Sequence, residues 1–252
     1  MALFSLEPGV MFLLRWLHFL AGITWIGILY YFNFVQVPFF TTAEAPVRTG
    51  MIAGGLVARA LWWFRWGAMV TFITGWLIIL HKLGQFGVGG FFNTSYGWAI
   101  FFGGMLGSLM WFNVWFVIWP AQQVVMASAQ QVAKGGQAIA EAAARGARGG
   151  IASRTNTMLS IPMLFFMGAA SHLPMFASAD SGPKGAKIMA LVLLTIVMLV
   201  VEVNALAGPA AGDKAGAGKK MFTVGPRSLA NTFWAGFVLT AILYVGLEVL
   251  FP

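Results

Sequence analysis

Six long apolar runs alternate with shorter polar stretches along this 252-residue chain, at about 10–37, 60–82, 97–119, 157–177, 187–207 and 230–251. A helix needs about 20 residues to cross a bilayer, and each run is long enough. The first is long enough to tilt or to extend past the hydrocarbon. The third ends at Trp119-Pro120, where the proline predicts a break or kink. Beyond it, Ala121 to Arg148 is rich in Ala, Gln and Arg and predicts a polar surface helix. Gly208 to Gly225 carries Gly, Ala, Pro and Lys and predicts a flexible loop. The sequence contains no internal repeat and no sign of a second domain. The expected architecture is an all-α integral membrane protein: one domain over 1–252, built as a six-helix transmembrane bundle.

Composition agrees with the pattern. Residues are 60% hydrophobic and only 9% charged, which suits a polytopic membrane protein and not a soluble one. Cysteine is absent, excluding disulfides, thiolate metal sites, iron–sulfur clusters and covalent C-x-x-C-H haem attachment. The net charge of +8 does not point to nucleic acid, because the basic residues sit between the spans. Eleven of the 15 Lys and Arg fall on the side of the loops after spans one, three and five, against four on the other. That bias predicts the richer side as cytoplasmic and both termini as periplasmic, with the lipid bilayer as the main partner. The N-terminus lacks a basic n-region, so the first run reads as a retained helix.

The candidate chemistry lies in the three histidines, His18, His81 and His172, each in a different run. With the topology above, all three fall toward the periplasmic face, and imidazole is uncommon inside a bilayer. His18 and His172 come out at matching depth, roughly 6–8 Å inside the boundary, with His81 close to the boundary itself. A six-coordinate haem b needs two imidazoles from different helices at similar depth. His18 and His172 are therefore the expected iron ligands. His81 is an alternative ligand, a group near the haem edge or an interfacial hydrogen-bonding residue. Arg15, one turn from His18, is a candidate partner for a haem propionate. Gly22, four residues after His18, is a candidate place for a flat macrocycle to approach. A three-histidine Cu or Zn site is the alternative and would need all three at one level.

A second polar group, Asn33, Gln36, Arg65, Asn113, Glu202, Asn204 and Asn231, falls toward the cytoplasmic side. Interhelical hydrogen bonding and snorkelling account for such residues, and a proton or quinone site is the functional alternative. Arg65 is a candidate partner for Glu202. Gly103-x-x-x-Gly107 predicts close helix packing.

The run His18-Phe-Leu-Ala-Gly22-Ile-Thr-Trp25-Ile-Gly27 resembles the first-helix pattern of several small bacterial membrane proteins. Among them are the copper-resistance D type and the haem-binding membrane protoporphyrinogen oxidase. Two further stretches narrow the resemblance: Asn113-Val-Trp115-Phe-Val-Ile-Trp119-Pro120-Ala-Gln122, and Ser153-Arg154-Thr-Asn156-Thr-Met-Leu-Ser160-Ile-Pro162 running on to Ser171-His172. Together they resemble the membrane part of the bacterial urate oxidase family, over nearly the whole chain. In that family a cytochrome c domain typically follows and accepts electrons. Here the sequence given ends at Pro252 without cysteine, which implies a separate periplasmic cytochrome c as acceptor.

The resulting expectation is a haem b electron-transfer protein of the bacterial inner membrane. If it is an enzyme, it is a urate oxidase-like oxidoreductase. Two alternatives stay open: a non-catalytic subunit docking to other membrane subunits, and a transporter or metal-handling protein. Sparse acids and the lack of Met-x-x-Met motifs count against the last.

Overall fold

The computed structural model describes residues 6–178, 180–206 and 228–251. Among them the chain is helical, without a strand. We number the helices α1 (Met11–Tyr30), α2 (Val37–Thr42), α3 (Ala45–Ala53), α4 (Leu56–Phe92), α5 (Ser95–Phe112), α6 (Trp119–Ala133), α7 (Ala142–His172), α8 (Lys184–Leu206) and α9 (Ser228–Leu250). Two π-wound turns join neighbours: Tyr31–Gln36 carries α1 into α2, and Asn113–Ile118 carries α5 into α6. Five continuous helical stretches are long and apolar enough to cross a membrane: Glu7–Thr42, Leu56–Phe92, Ser95–Ala133, Lys184–Leu206 and Leu229–Leu250. The expected loop 208–225 lies outside the described residues.

The sixth expected span lies within α7, which at 31 residues is about 46 Å long. It is not among the five apolar ones, and its surroundings give the reason. α7 packs against α5, α6, α8, α9 and the end of α1, so protein rather than lipid covers most of it. A helix surrounded in this way can carry Asn156, Thr157 and Ser160 fully buried without meeting hydrocarbon. Small residues let its neighbours approach. A Cβ on Gly103 of α5 would meet Met167 at 2.7 Å, and the expected close packing of Gly103 and Gly107 is against α7. On the other side, Pro162 has no N–H to offer the Met158 carbonyl one turn back. That oxygen faces Gly236 of α9, where a Cβ would stand only 2.8 Å away.

Two expectations need correction. Pro120 does not break the third span: the helix runs on from Ser95 to Ala133. The proline sits just after a π-wound turn, and the helical winding continues through both. Nor does Ala121–Arg148 form one surface helix. α6 ends in a glycine cap, with Gly135 at φ +82° and Gly136 N–H donating to the Gln131 carbonyl at 3.0 Å. The chain then turns back into α7. The two form a hairpin because Gly146 and Gly149 admit Val125 and Ala121.

α1 and α4 run antiparallel, matched at His18–Thr74, Trp25–Gly67 and Phe32–Phe64. A Cβ on Gly67 would lie 3.1 Å from the Trp25 backbone nitrogen, so only glycine permits this approach. α1 also runs antiparallel to α7, matched at Tyr30–Ser160 and Asn33–Ser153. The outward side of α1 is apolar and exposed (Phe12, Trp16, Phe19, Ile23), as lipid contact requires.

Candidate functional site

Polar side chains gather at two levels of the bundle. The Tyr30–Ser160 hydrogen bond serves as an internal ruler between them. His18 stands twelve positions before Tyr30, and His172 twelve after Ser160, on antiparallel helices. Both therefore lie about 18 Å from that bond, toward the same end. His81 is seven positions past Thr74, the contact of His18, and so sits nearer that end still.

His18 is half-buried against α4. Its Nδ1 is 3.0 Å from Thr74 Oγ1, and Thr74 donates its own hydrogen to the Val70 carbonyl at 2.7 Å. The threonine oxygen must then accept, which puts the imidazole hydrogen on Nδ1 and leaves the lone pair on Nε2. Gly75 supplies the space: a Cβ there would stand 3.0 Å from His18 Cε1. His172, exposed at the end of α7, donates from Nδ1 to the Gly168 carbonyl at 2.8 Å and takes the same tautomer.

The other residues expected beside them are placed differently. His81 Nε2 contacts Glu7, which also accepts from Gln85, so His81 serves an exposed ion pair. Arg15 is exposed, within electrostatic range of the Tyr96 hydroxyl on α5. Gly22 is partly exposed and faces Thr71 of α4 at ordinary van der Waals distance. Among the described residues no group of three or more His, Asp or Glu is placed to hold a metal ion. The three histidines meet three different partners: Thr74, Glu7 and the Gly168 carbonyl.

At the opposite level the polar groups meet one another. Asn113, in the second π turn, donates from Nδ2 to Asn156 Oδ1 and to Glu202 Oε2, both at 3.1 Å, tying α5 to α7 and α8. Asn156 donates onward to the Met110 carbonyl at 2.9 Å. Asn33, in the first π turn, donates to Ser153 Oγ at 2.8 Å. Ser160 donates to the Thr157 carbonyl, so Tyr30 is the donor in the bond between them, 2.9 Å long. Arg65 lies 3.7 Å over the Trp119 ring and is not the partner of Glu202. Asn231 is exposed, apart from this layer. Among the described residues, Gln36 Oε1, Asn113 Oδ1, Glu202 Oε1 and Asn204 Oδ1 are buried without a hydrogen-bond partner.

Thr74, Gly75 and Tyr30 were not singled out from the sequence. Each has a faint signature inside an apolar run: the Thr74-Gly75 pair, and the Tyr30-Tyr31 pair. The π turns have a clearer one. Each carries a buried Asn and precedes a proline by two positions, at Val37-Pro38 and Trp119-Pro120.

Among the described residues these features define a helical protein of the membrane-spanning type, with His18 and His172 toward one end and a cross-linked polar layer toward the other. Residues 83–206 match the family model described as urate oxidase N-terminal. The match takes in α5 to α8, with Asn113, Asn156, His172 and Glu202, and begins after His18 and His81. No curated protein and no solved structure matches the chain.

Proposed function

We propose that the chain is a haem b-binding electron-transfer protein of the urate oxidase N-terminal type, with His18 and His172 as the axial ligands. The observation that carries this reading is their shared preparation. Each imidazole is braced through Nδ1, by Thr74 Oγ1 or the Gly168 carbonyl, and each has an Nε2 lone pair to give. Metal-binding histidines are oriented by this kind of second hydrogen bond. The internal ruler also puts the two at one depth. Haem, when bound, would supply one-electron chemistry. The chain's own part is to hold the imidazoles at fixed tautomer and to keep water away with apolar helices. Arg15, exposed near His18, is the cation available to a propionate.

In this reading six helices span a bacterial inner membrane, α7 among them, with both termini and the histidine end periplasmic. Electrons then leave to a separate periplasmic cytochrome c. Haem content and the reduced absorption spectrum of the purified protein test it. Stoichiometric haem b in the wild type, bound more weakly by His18→Ala and by His172→Ala and lost from the double variant, is the expected result. A colourless protein after haem supplementation contradicts it and favours an accessory-subunit role.

A further inference from the structure

Between the two π turns lies a cavity of about 100 Å³, walled by Phe32, Val57, Leu61 and Ile118 on its apolar side. Asn33, Gln36, Gln122, Ser153 and Arg154 supply the polar side, and no acid lines it. We infer that this cavity binds the headgroup of a lipid-soluble quinol.

Three observations carry the inference. The volume is well above the roughly 10–15 Å³ that a single water needs and about two-thirds of the roughly 150 Å³ of an apolar cavity that takes up benzene, so a ring enters with one edge in the open mouth. The polar side is unfinished in a complementary way. Gln36 is 8% exposed and its Oε1, buried in the wall, has no donor. Ser153 Oγ accepts from Asn33 and keeps its own hydrogen to donate. A quinol offers a hydroxyl hydrogen to the first and an oxygen to the second, with its flat face against Phe32 and Leu61. Finally, the lining reaches the surface at Val37, 38% exposed near the end of a membrane-crossing helix and about 28 Å along it from His18, at the level of the lipid headgroups, where an isoprenoid tail turns into the bilayer. Mixed apolar walls opening on lipid suit such a molecule better than a water-borne anion.

The polar layer thereby acquires a role beyond packing. The π winding of Tyr31–Gln36 turns Asn33 and Gln36 toward α7, and Asn33 is held there by Ser153. The inference does not depend on haem, and the test is run so that the two fail separately.

The test is photolabelling of the full-length protein in lipid nanodiscs with an azido-quinone, mapped by mass spectrometry, in wild-type and His18→Ala backgrounds. Label is expected at residues 32–37 and 149–154 in both, and excess decylubiquinol is expected to suppress it. Gly150 lines the cavity and a Cβ there meets nothing within 4 Å. Gly150→Leu fills the space and abolishes the label, and Gly150→Ala lowers it while keeping the fold. Gln36→Leu weakens decylubiquinol competition roughly tenfold, the loss of one buried hydrogen bond. Label spread over lipid-facing helices and insensitive to competitor overturns the inference. So does label unchanged in all three variants, or displaced by urate but not by decylubiquinol.

Discussion

The two ends of this bundle spend their polar groups in opposite ways. Toward the basic end, Asn113, Asn156, Glu202, Asn33, Ser153, Tyr30 and Ser160 hydrogen-bond across helices, linking α1, α5, α7 and α8. At the histidine end, His172 is held by its own helix, His18 by one turn of α4 at Thr71 and Thr74, and His81 by Glu7. In a medium without water, groups that satisfy one another hold the fold together. In the function proposed above, imidazoles held on one side only, with a lone pair left over, are the groups that take a ligand. Stability is therefore expected to reside in the first layer and ligand chemistry in the second.

The sharpest way to break this contrast is Asn156→Leu. It removes the acceptor for Asn113 and the donor to the Met110 carbonyl in a fully buried position. A loss of about 2–4 kcal/mol is expected, read from denaturant or thermal unfolding in detergent. Thr74→Val should do the reverse, leaving unfolding nearly unchanged. It removes the brace on His18 Nδ1, and haem affinity should fall about 10- to 100-fold in a haem-transfer titration. Tyr30→Phe deletes one interhelical bond to Ser160, and about 1 kcal/mol of destabilisation is expected by the same unfolding assay. His81→Ala marks the lower limit. The pair with Glu7 is half-exposed, and a change within about 0.5 kcal/mol is expected in melting experiments. A larger effect of His81→Ala than of Tyr30→Phe would erase the distinction between the ends.

Much of this was legible along the chain, because hydrocarbon imposes a simple rule: apolar on every side, for at least about 20 residues. α1, α4, α5, α8 and α9 obey it. α7 does so only in part, since its surroundings are protein and its polarity reports neighbours that a linear reading does not show. Proline was misread for a related reason. Its local rule predicts a break or kink at Pro120, and the helix runs on through it, wound as a π turn just before. The histidines could be placed by depth, since helix rise converts position into distance. Which way each ring faces depends on a partner 56 positions away for His18, and no pattern within one helix contains that. Likewise Glu202 found Asn113 rather than Arg65, whose guanidinium is taken up by the face of Trp119.

The central claim is that two imidazoles from α1 and α7 share one iron. Electron paramagnetic resonance of the oxidised, haem-loaded protein tests it most directly. A low-spin signal in the wild type that becomes high-spin in His172→Ala, with haem still present, is the result expected. A high-spin wild type, or a spin state that His172→Ala leaves unchanged, contradicts it.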